Sequence, residues 1–116
     1  MTPAETEAAL DAYLGHEGLD RVAEDAVYRE MGTGEVWRGR EAIGATLDRL
    51  YNVLYDARAV ERHRVIGAGT ATLEYDFRGR RQSDGAEVSI PLCVVYEFAG
   101  GQITEARIYF LAAPSA

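Results

Sequence analysis

The chain has 116 residues, 47% of them apolar, and a formal net charge of −7. This length and apolar content predict one domain built around one hydrophobic core. The negative charge argues against a nucleic-acid partner, which requires a basic surface. All 12 positively charged residues are arginine, so lysine-based catalysis is excluded.

No apolar run approaches the ~18 residues of a membrane span, and no charged-then-apolar leader opens the chain. We therefore expect neither a membrane segment nor a secretory signal. The sole cysteine, Cys93, cannot form an intrachain disulfide, which is typical of a protein from a reducing compartment. A cytoplasmic location is expected.

The first part of the chain predicts helices. The stretch "TPAE" is typical of a helix start, because Thr2 can cap the first turn, Pro3 suits the first helical position and Glu5 completes a capping box. An apolar stripe continues to Leu14, and Gly15 can end this helix. Helical segments are expected over about 3–24, and short strands over about 26–31 and 35–38.

The second part predicts one more helix and then a series of strands. "REAIGATLDRLYNVLY" has apolar residues at helical spacing, which predicts a helix over about 40–55. "GAG", "SDG" and "AGG" are turn sequences that separate segments of alternating polarity. Strands are expected over about 57–66, 70–81, 86–98 and 102–111. Helices followed by a strand meander indicate an α+β fold within a single domain, 1–116.

Alternation along the strands predicts which side chains face the helices. The inward set includes Tyr75, Phe77, Tyr96 and Ile108. Glu74 and Asp76 fall on the outer face, where we expect them to pair with Arg78 or Arg107. For the strand that carries Tyr28 and Glu30, the pattern alone leaves the inward side open.

Three stretches of the sequence resemble a known superfamily. The matching stretches are "EDAVYREM", then "GREAI" opening a helix, then "IPLCVVYEFAGGQITEARIYF", and together they span about Glu24–Leu111. They are similar to the nuclear-transport-factor-2-like superfamily, in its SnoaL-like, limonene-epoxide-hydrolase-like and ketosteroid-isomerase-like branch. The resemblance implies a cone-shaped, cystatin-like α+β roll. In this fold the N-terminal helices pack in a strongly curved mixed or antiparallel sheet around a deep apolar pocket.

The resemblance also implies which chemistry is missing. In the epoxide hydrolases of this branch, one Arg and two Asp residues activate a water molecule. The Arg position corresponds here to Tyr75, and the two Asp positions correspond to Phe77 and Ile108, which cannot accept a proton. A supporting Tyr is retained as Tyr28, and the position of a supporting Asn is Glu30. The epoxide-hydrolase mechanism is therefore not expected.

The resemblance to ketosteroid isomerase is more favourable. The isomerase's Asp base corresponds to Glu30, and its protonated Asp falls near Val94, which is apolar. Its helical Tyr corresponds to Tyr13, although the segment between Tyr13 and Asp25 is shorter here. The resemblance thus places Glu30 and Tyr28 in the pocket as the candidate catalytic residues.

Two states of Glu30 follow from these considerations. In an apolar pocket, desolvation is expected to raise the pKa of Glu30 toward neutrality and make it a general acid or base. Alternatively, Glu30 forms an ion pair with Arg38, Arg62 or Arg64. The expected substrate-binding residues are Tyr75, Phe77, Tyr51, Leu54, Leu50, Ile90, Leu92, Tyr96, Ile108, Phe110 and Trp37.

Two functions remain open on the sequence. The first is a small-molecule enzyme that isomerises, cyclises or opens the epoxide of an apolar, oxygenated polyketide-, terpene- or steroid-like substrate through Glu30. The second is a non-catalytic ligand-binding or dimerisation module of the same fold. We expect no cofactor and no metal, because His16 and His63 lack metal-ligand spacing. A small apolar molecule is the expected ligand, and a homodimer is the expected assembly.

Overall fold

The computed structural model describes residues 1–112 and 114. Two helices precede most of the strands, and the helical segment after α2 is a π-helix. The elements are α1 Pro3–Leu14, a 3₁₀ turn Gly18–Arg21, β1 Val22–Glu30, β2 Val36–Arg38, α2 Arg40–Asp48, the π-helical segment Arg49–Leu54, β3 Tyr55–Ile66, β4 Thr70–Arg81, β5 Glu87–Ala99 and β6 Gln102–Phe110.

Helix α1 begins as its sequence predicts. The Thr2 hydroxyl accepts a hydrogen bond from the Glu5 amide at 3.1 Å, and the Glu5 carboxylate accepts one from the Thr2 amide at 2.9 Å. These reciprocal bonds satisfy amide groups that lack partners within the first helical turn. The predicted capping box is confirmed.

The prediction of helix up to residue 24 is wrong. Between α1 and β1 only Gly18–Arg21 is helical, and β1 already begins at Val22. Val22 is fully buried and lies opposite Ile103 of β6. Pairing with a strand distant in sequence therefore overrides the local helical pattern of this segment.

The strands form one six-stranded sheet in the order β2-β1-β6-β5-β4-β3. Strands β1 and β6 run parallel, and all other neighbours are antiparallel. Helix α1 contacts β3 and β4, while α2 contacts β1 and β2. The helices and the mixed sheet confirm the predicted α+β class.

Burial along the strands follows the predicted alternation. In β4 the inward residues Ala71, Leu73, Tyr75 and Phe77 are all buried. Phe77 is fully buried, and its ring contacts those of Tyr51 and Tyr55 with both centroid distances at 5.0 Å. The apolar side of the sheet thus faces the helices and encloses the core.

Asp76 is an exception with a clear cause. It lies on the outer face but is only 7% exposed, and it pairs with Arg62 at 2.6 Å rather than with the predicted Arg78 or Arg107. Strand β3 has a register shift between Glu61 and His63, so Arg62 has no opposite residue in β4. A bulge of this kind redirects a side chain, which the strict alternation could not anticipate.

Candidate functional site

A cavity of about 320 Å³ lies between the helices and the inner face of the sheet. We call it the main cavity. None of its lining residues carries a charged side chain, and its polar groups are mostly phenols. It is lined by Tyr13, Leu14, Gly18, Leu19, Tyr28, Trp37, Leu47, Leu50, Tyr51, Ala59, Tyr75, Leu92, Val94, Tyr96, Ile108 and Phe110.

Most of the expected substrate-binding residues contribute to this wall. Phe77, Ile90 and Leu54 do not line it, and Leu54 lines a neighbouring pocket instead. Phe77 is enclosed in its ring cluster, and Ile90 packs against the core as a partly buried side chain. The expected substrate-binding residues found in the wall are Tyr75, Tyr51, Leu50, Leu92, Tyr96, Ile108, Phe110 and Trp37.

The phenols of the main cavity form two hydrogen-bonded pairs. The Tyr28 hydroxyl donates to the Tyr13 hydroxyl at 2.9 Å, and the hydroxyls of Tyr75 and Tyr96 are 3.1 Å apart. The rings of Tyr13 and Tyr96 meet edge to face at 5.7 Å, so the two pairs are in contact. The pairs bring together phenols from β1, α1, β4 and β5.

Each phenol pair leaves one hydroxyl proton for a ligand. Two hydroxyls joined by one hydrogen bond use only one of their two protons, because each bond uses one donor. Since Tyr28 donates to Tyr13, the proton of Tyr13 is not used within its pair, and either Tyr75 or Tyr96 keeps its proton in the other pair. A hydroxyl that accepts a hydrogen bond is polarised, which strengthens the bond that it donates.

Burial keeps these phenols protonated. Desolvation raises the pKa values of Tyr13, Tyr28, Tyr75 and Tyr96 above the usual tyrosine range. Desolvation also raises the pKa of Tyr51 to about 12. At neutral pH, the main cavity therefore presents neutral hydrogen-bond donors.

A second pocket of about 270 Å³ adjoins the main cavity. We call it the side pocket. Trp37, Leu50 and Phe110 line both spaces. Unlike the main cavity, the side pocket contains charged groups. Its wall consists of Glu30, Thr33, Glu35, Trp37, Thr46, Arg49, Leu50, Leu54, Phe110 and Pro114.

Glu30 lies in the side pocket, at the end of β1, and its carboxylate binds the turn that follows. One oxygen accepts from the Gly32 amide at 2.9 Å, and the other from the Thr33 amide at 2.7 Å. Burial acts to raise the pKa of Glu30, but the hydrogen bonds from Thr33 and Gly32 outweigh burial and lower the pKa. Glu30 is therefore an ionised carboxylate at neutral pH.

Both sequence-based expectations for Glu30 are corrected by this geometry. The expected rise in its pKa is wrong, because hydrogen bonds to the ionised form favour that form. The alternative ion pair is not formed within residues 1–112 and 114. There, Arg62 binds Asp76, and Arg64 binds Glu7, Asp11 and Glu61. The sequence did contain a local indication of this charge state. A glycine-containing turn directly follows the strand, and the free amides of such a turn can bind a carboxylate.

The side pocket contains two charged residues that the sequence reasoning missed. The Glu35 carboxylate accepts from the Trp37 indole at 2.9 Å, which fixes both side chains on the same wall. Arg49 lies at the start of the π-helical segment and lines another wall of the side pocket. Neither residue stood out in the sequence, because nothing in the local pattern connects them with Glu30.

The histidines take no part in either space. His63 is exposed and lies opposite Glu74 in the sheet, and His16 is exposed after α1. In the part of the chain that the structure describes, no group of His, Cys, Asp and Glu side chains is placed to bind a metal ion. A larger depression of about 530 Å³ lies between β4, β5 and β6, where the Arg62–Asp76 ion pair forms part of its wall.

Comparison with known proteins identifies the family. The sequence model described as a SnoaL-like domain matches residues 7–106. The chain belongs to the SnoaL-like family. This finding confirms the resemblance inferred from the sequence motifs. No functionally curated protein matches this SnoaL-like chain significantly.

Solved structures share its fold. A hypothetical protein with a ketosteroid-isomerase-like fold from Catenulispora acidiphila, in complex with trimethylamine, is 20% identical, with a TM-score of 0.74 over 94% of this chain and 86% of that chain. A proposed ketosteroid isomerase from Kribbella flavida is 16% identical, with a TM-score of 0.78 over 100% and 85% of the two chains. A proposed polyketide cyclase from Xanthomonas campestris is 22% identical, with a TM-score of 0.75 over 92% and 90%. These likenesses establish the predicted nuclear-transport-factor-2-like cone fold.

The helices of this SnoaL-like domain are short. Within residues 1–112 and 114, none combines the length and the apolar character required to cross a membrane.

Proposed function

We propose that this SnoaL-like protein binds a small, apolar, oxygenated molecule and catalyses proton transfer next to a carbonyl group, with Glu30 as the proton acceptor. The observation that carries the proposal is the adjacency of two complementary spaces. The main cavity holds neutral phenol donors, and the side pocket holds an ionised carboxylate. The two spaces share the walls formed by Trp37, Leu50 and Phe110.

The chemistry follows from this arrangement. Glu30 would take a proton from the carbon next to the carbonyl, and the electron pair would move to the carbonyl oxygen. An uncommitted phenol proton would then hydrogen-bond that oxygen and stabilise its developing charge. Returning the proton to another carbon isomerises the substrate, while attack of the enolate carbon on a second carbonyl closes a ring.

The ionised state of Glu30 selects among the reactions expected from the sequence. Epoxide opening with acid assistance needs a protonated carboxyl group, whereas isomerisation and enolate cyclisation need an ionised one. Because the pKa of Glu30 is lowered, the geometry favours the latter two reactions. Ketosteroid isomerase performs this kind of chemistry with an Asp base whose pKa is only modestly raised, together with hydrogen-bond donors at the substrate oxygen.

The proposal predicts carbon-bound deuterium exchange. The protein is incubated in heavy water with a panel of apolar cyclic ketones, and deuterium incorporation is followed by mass spectrometry. We expect incorporation above the buffer rate, and a loss of about 10²-fold or more in Glu30→Gln, because general base catalysis contributes at least that factor. Exposed Glu24, on the same strand, supplies the control variant Glu24→Gln.

Thermal unfolding of each variant shows whether an altered rate reflects an altered fold. Equal exchange by the wild-type protein and by a folded Glu30→Gln variant would falsify the proposed role of Glu30. Absence of exchange above the buffer rate with every ketone of the panel would overturn the enzymatic proposal.

One observation favours the non-catalytic alternative. The carboxylate of Glu30 is already bound by the Gly32 and Thr33 amides, and the cavity phenols bind one another. A binding module would use the same main cavity without proton transfer. The relative from Catenulispora acidiphila holds trimethylamine, which supports small-ligand binding by this fold. Ligand binding that is indifferent to Glu30→Gln, without any exchange, would favour this function.

The proposed assembly is a homodimer formed through the outer face of the sheet, and the proposed location is the cytoplasm. Apolar side chains are exposed on that face. Val65 is 59% exposed and Tyr109 is 43% exposed. Val65 lies on β3 and Tyr109 on β6, so exposed apolar side chains occur at both sides of this face, and exposed apolar surface can mark a protein–protein contact.

A further inference from the structure

We propose that the side pocket is an anion subsite, in which Arg49 binds a carboxylate carried by the ligand. This inference rests on the proposed function and adds a substrate class to it. The ligand would have an apolar, oxygenated body in the main cavity and an acidic arm in the side pocket. Arg49 would act as a binding and specificity-determining residue.

The polar groups of the side pocket other than Arg49 have partners within the protein. Glu30 is bound by turn amides, and Glu35 binds the Trp37 indole. The Thr46 hydroxyl donates to the Ala42 carbonyl at 2.8 Å. Within the described residues, the Arg49 guanidinium has no hydrogen bond or ion pair. It is the group of this wall that remains available to a ligand.

The chain is wound as a π-helix at the position of Arg49. In the π-helical segment Arg49–Leu54, hydrogen bonds connect residues five apart, so that Arg49 and Leu54 lie one turn from each other. In an α-helix the same two residues would point about 140° apart. The π turn allows both side chains to line the side pocket. π-Helical turns occur frequently at functional sites.

The charged side chains of the side pocket lie on two different walls. Glu30 and Glu35 come from the wall formed by β1, β2 and their connection, where protein donors already bind both carboxylates. Arg49 comes from the wall formed by α2 and the π-helical segment. An anion that approaches this second wall can form the paired hydrogen bonds that a guanidinium makes with a carboxylate. An amide of the same shape cannot replace that charge.

The test compares matched ligands. The probes are cyclohexyl carboxylates with arms of one, two or three methylene groups, and the corresponding primary amides. Binding is followed through the fluorescence of Trp37, the single tryptophan, which lines both spaces. We expect at least one carboxylate to bind the wild-type protein about 10-fold or more tightly than its amide, as charge-assisted hydrogen bonds imply. High salt should reduce this preference.

Two variants isolate the role of Arg49. Arg49→Gln should abolish the preference for the carboxylate, because it should weaken carboxylate binding more than amide binding. Arg38→Gln removes an exposed arginine that lies outside both spaces, and should retain the preference. Melting temperatures of both variants show whether they fold. The inference is overturned if the wild-type protein shows no carboxylate preference for any arm length, binds none of the probes, or keeps its preference in Arg49→Gln.

The ligand-binding test of Arg49 and the deuterium-exchange test of Glu30 can succeed or fail independently of each other. Loss of the preference in Arg49→Gln, without any deuterium exchange by the wild-type protein, leaves an anion subsite in a binding module. Exchange that depends on Glu30, without a carboxylate preference, leaves the enzyme and removes the anion subsite.

Discussion

At the scale of single residues, Glu30 combines a structural and a chemical property. Its carboxylate binds the amides of Gly32 and Thr33 and thereby stabilises the turn after β1. The same hydrogen bonds keep the carboxylate ionised in a largely buried position, 8% exposed. A residue that holds a turn can therefore also supply a base, and the two roles need separate measurements.

The structural role predicts a specific pH dependence. Because the pKa of Glu30 is lowered in the folded state, its stabilising contribution is present above the ordinary Glu pKa of about 4.3 and is lost as the pH falls through the lowered value. Glu30→Gln should cost about 1–3 kcal/mol at neutral pH, since amides of the turn lose a charged acceptor. Urea unfolding at neutral and acidic pH measures both effects.

The expected pattern is a smaller loss of stability on acidification in Glu30→Gln than in the wild-type protein. Glu24→Gln, at an exposed position of the same strand, serves as the control and should retain the wild-type dependence. Parallel losses in the wild-type protein and Glu30→Gln would contradict the assigned charge state.

At the scale of secondary-structure elements, an arginine of β3 connects the first helix to the sheet. Arg64 binds Asp11 at 2.9 Å and Glu7 at 3.2 Å on α1, and also Glu61 at 2.6 Å on its own strand. Single exposed ion pairs contribute little, but one cation shared among three carboxylates forms a network. Since α1 carries Tyr13, this network also positions part of the main cavity wall.

Removing the network should loosen α1. We expect Arg64→Met to reduce the free energy of unfolding by about 0.5–2 kcal/mol at low ionic strength, and by less at high salt. Arg58→Met is the matched control, because Arg58 lies on the same strand and forms no ion pair within the described residues. Guanidinium chloride supplies salt itself, so urea is the suitable denaturant. Equal effects of the two substitutions, or an effect that is independent of salt, would count against the network.

At the scale of the whole molecule, the proposed homodimer makes a prediction about mass. Light scattering should give about twice the chain mass of 12.7 kDa. Val65→Arg places a charge on the outer face of the sheet and should shift the mass toward that of one chain. Val53→Arg is the control, because Val53 is 54% exposed on the π-helical segment rather than on the sheet. A single-chain mass for the wild-type protein would exclude the homodimer.

The sequence predicted most of the architecture because its main signals are local. The alternation in β4 places Tyr75 and Phe77 inward, and both are buried. The capping box at Thr2 and Glu5 forms as predicted. The prediction failed at Val22, where burial against Ile103 requires a strand that is far away in the sequence.

The site was predicted less completely. Tyr28 and most of the cavity wall were identified, but hydrogen bonds join Tyr28 to Tyr13, 15 residues away, and Tyr75 to Tyr96, 21 residues away. Arg49 was missed because a helical pattern over 40–55 does not distinguish an α turn from a π turn. The presence of phenols could be predicted, while their hydrogen bonds could not.

The sequence by itself determined the order of the helices and strands and the inward face of β4, β5 and β6. These properties depend on spacing and polarity along the chain, which are local. Only the tertiary structure decided the charge state of Glu30, the connection of the cavity phenols and the place of Arg49. The physical reason is that pKa values and hydrogen bonds depend on distances of a few ångströms and on desolvation by surrounding residues, and the folded chain alone establishes both.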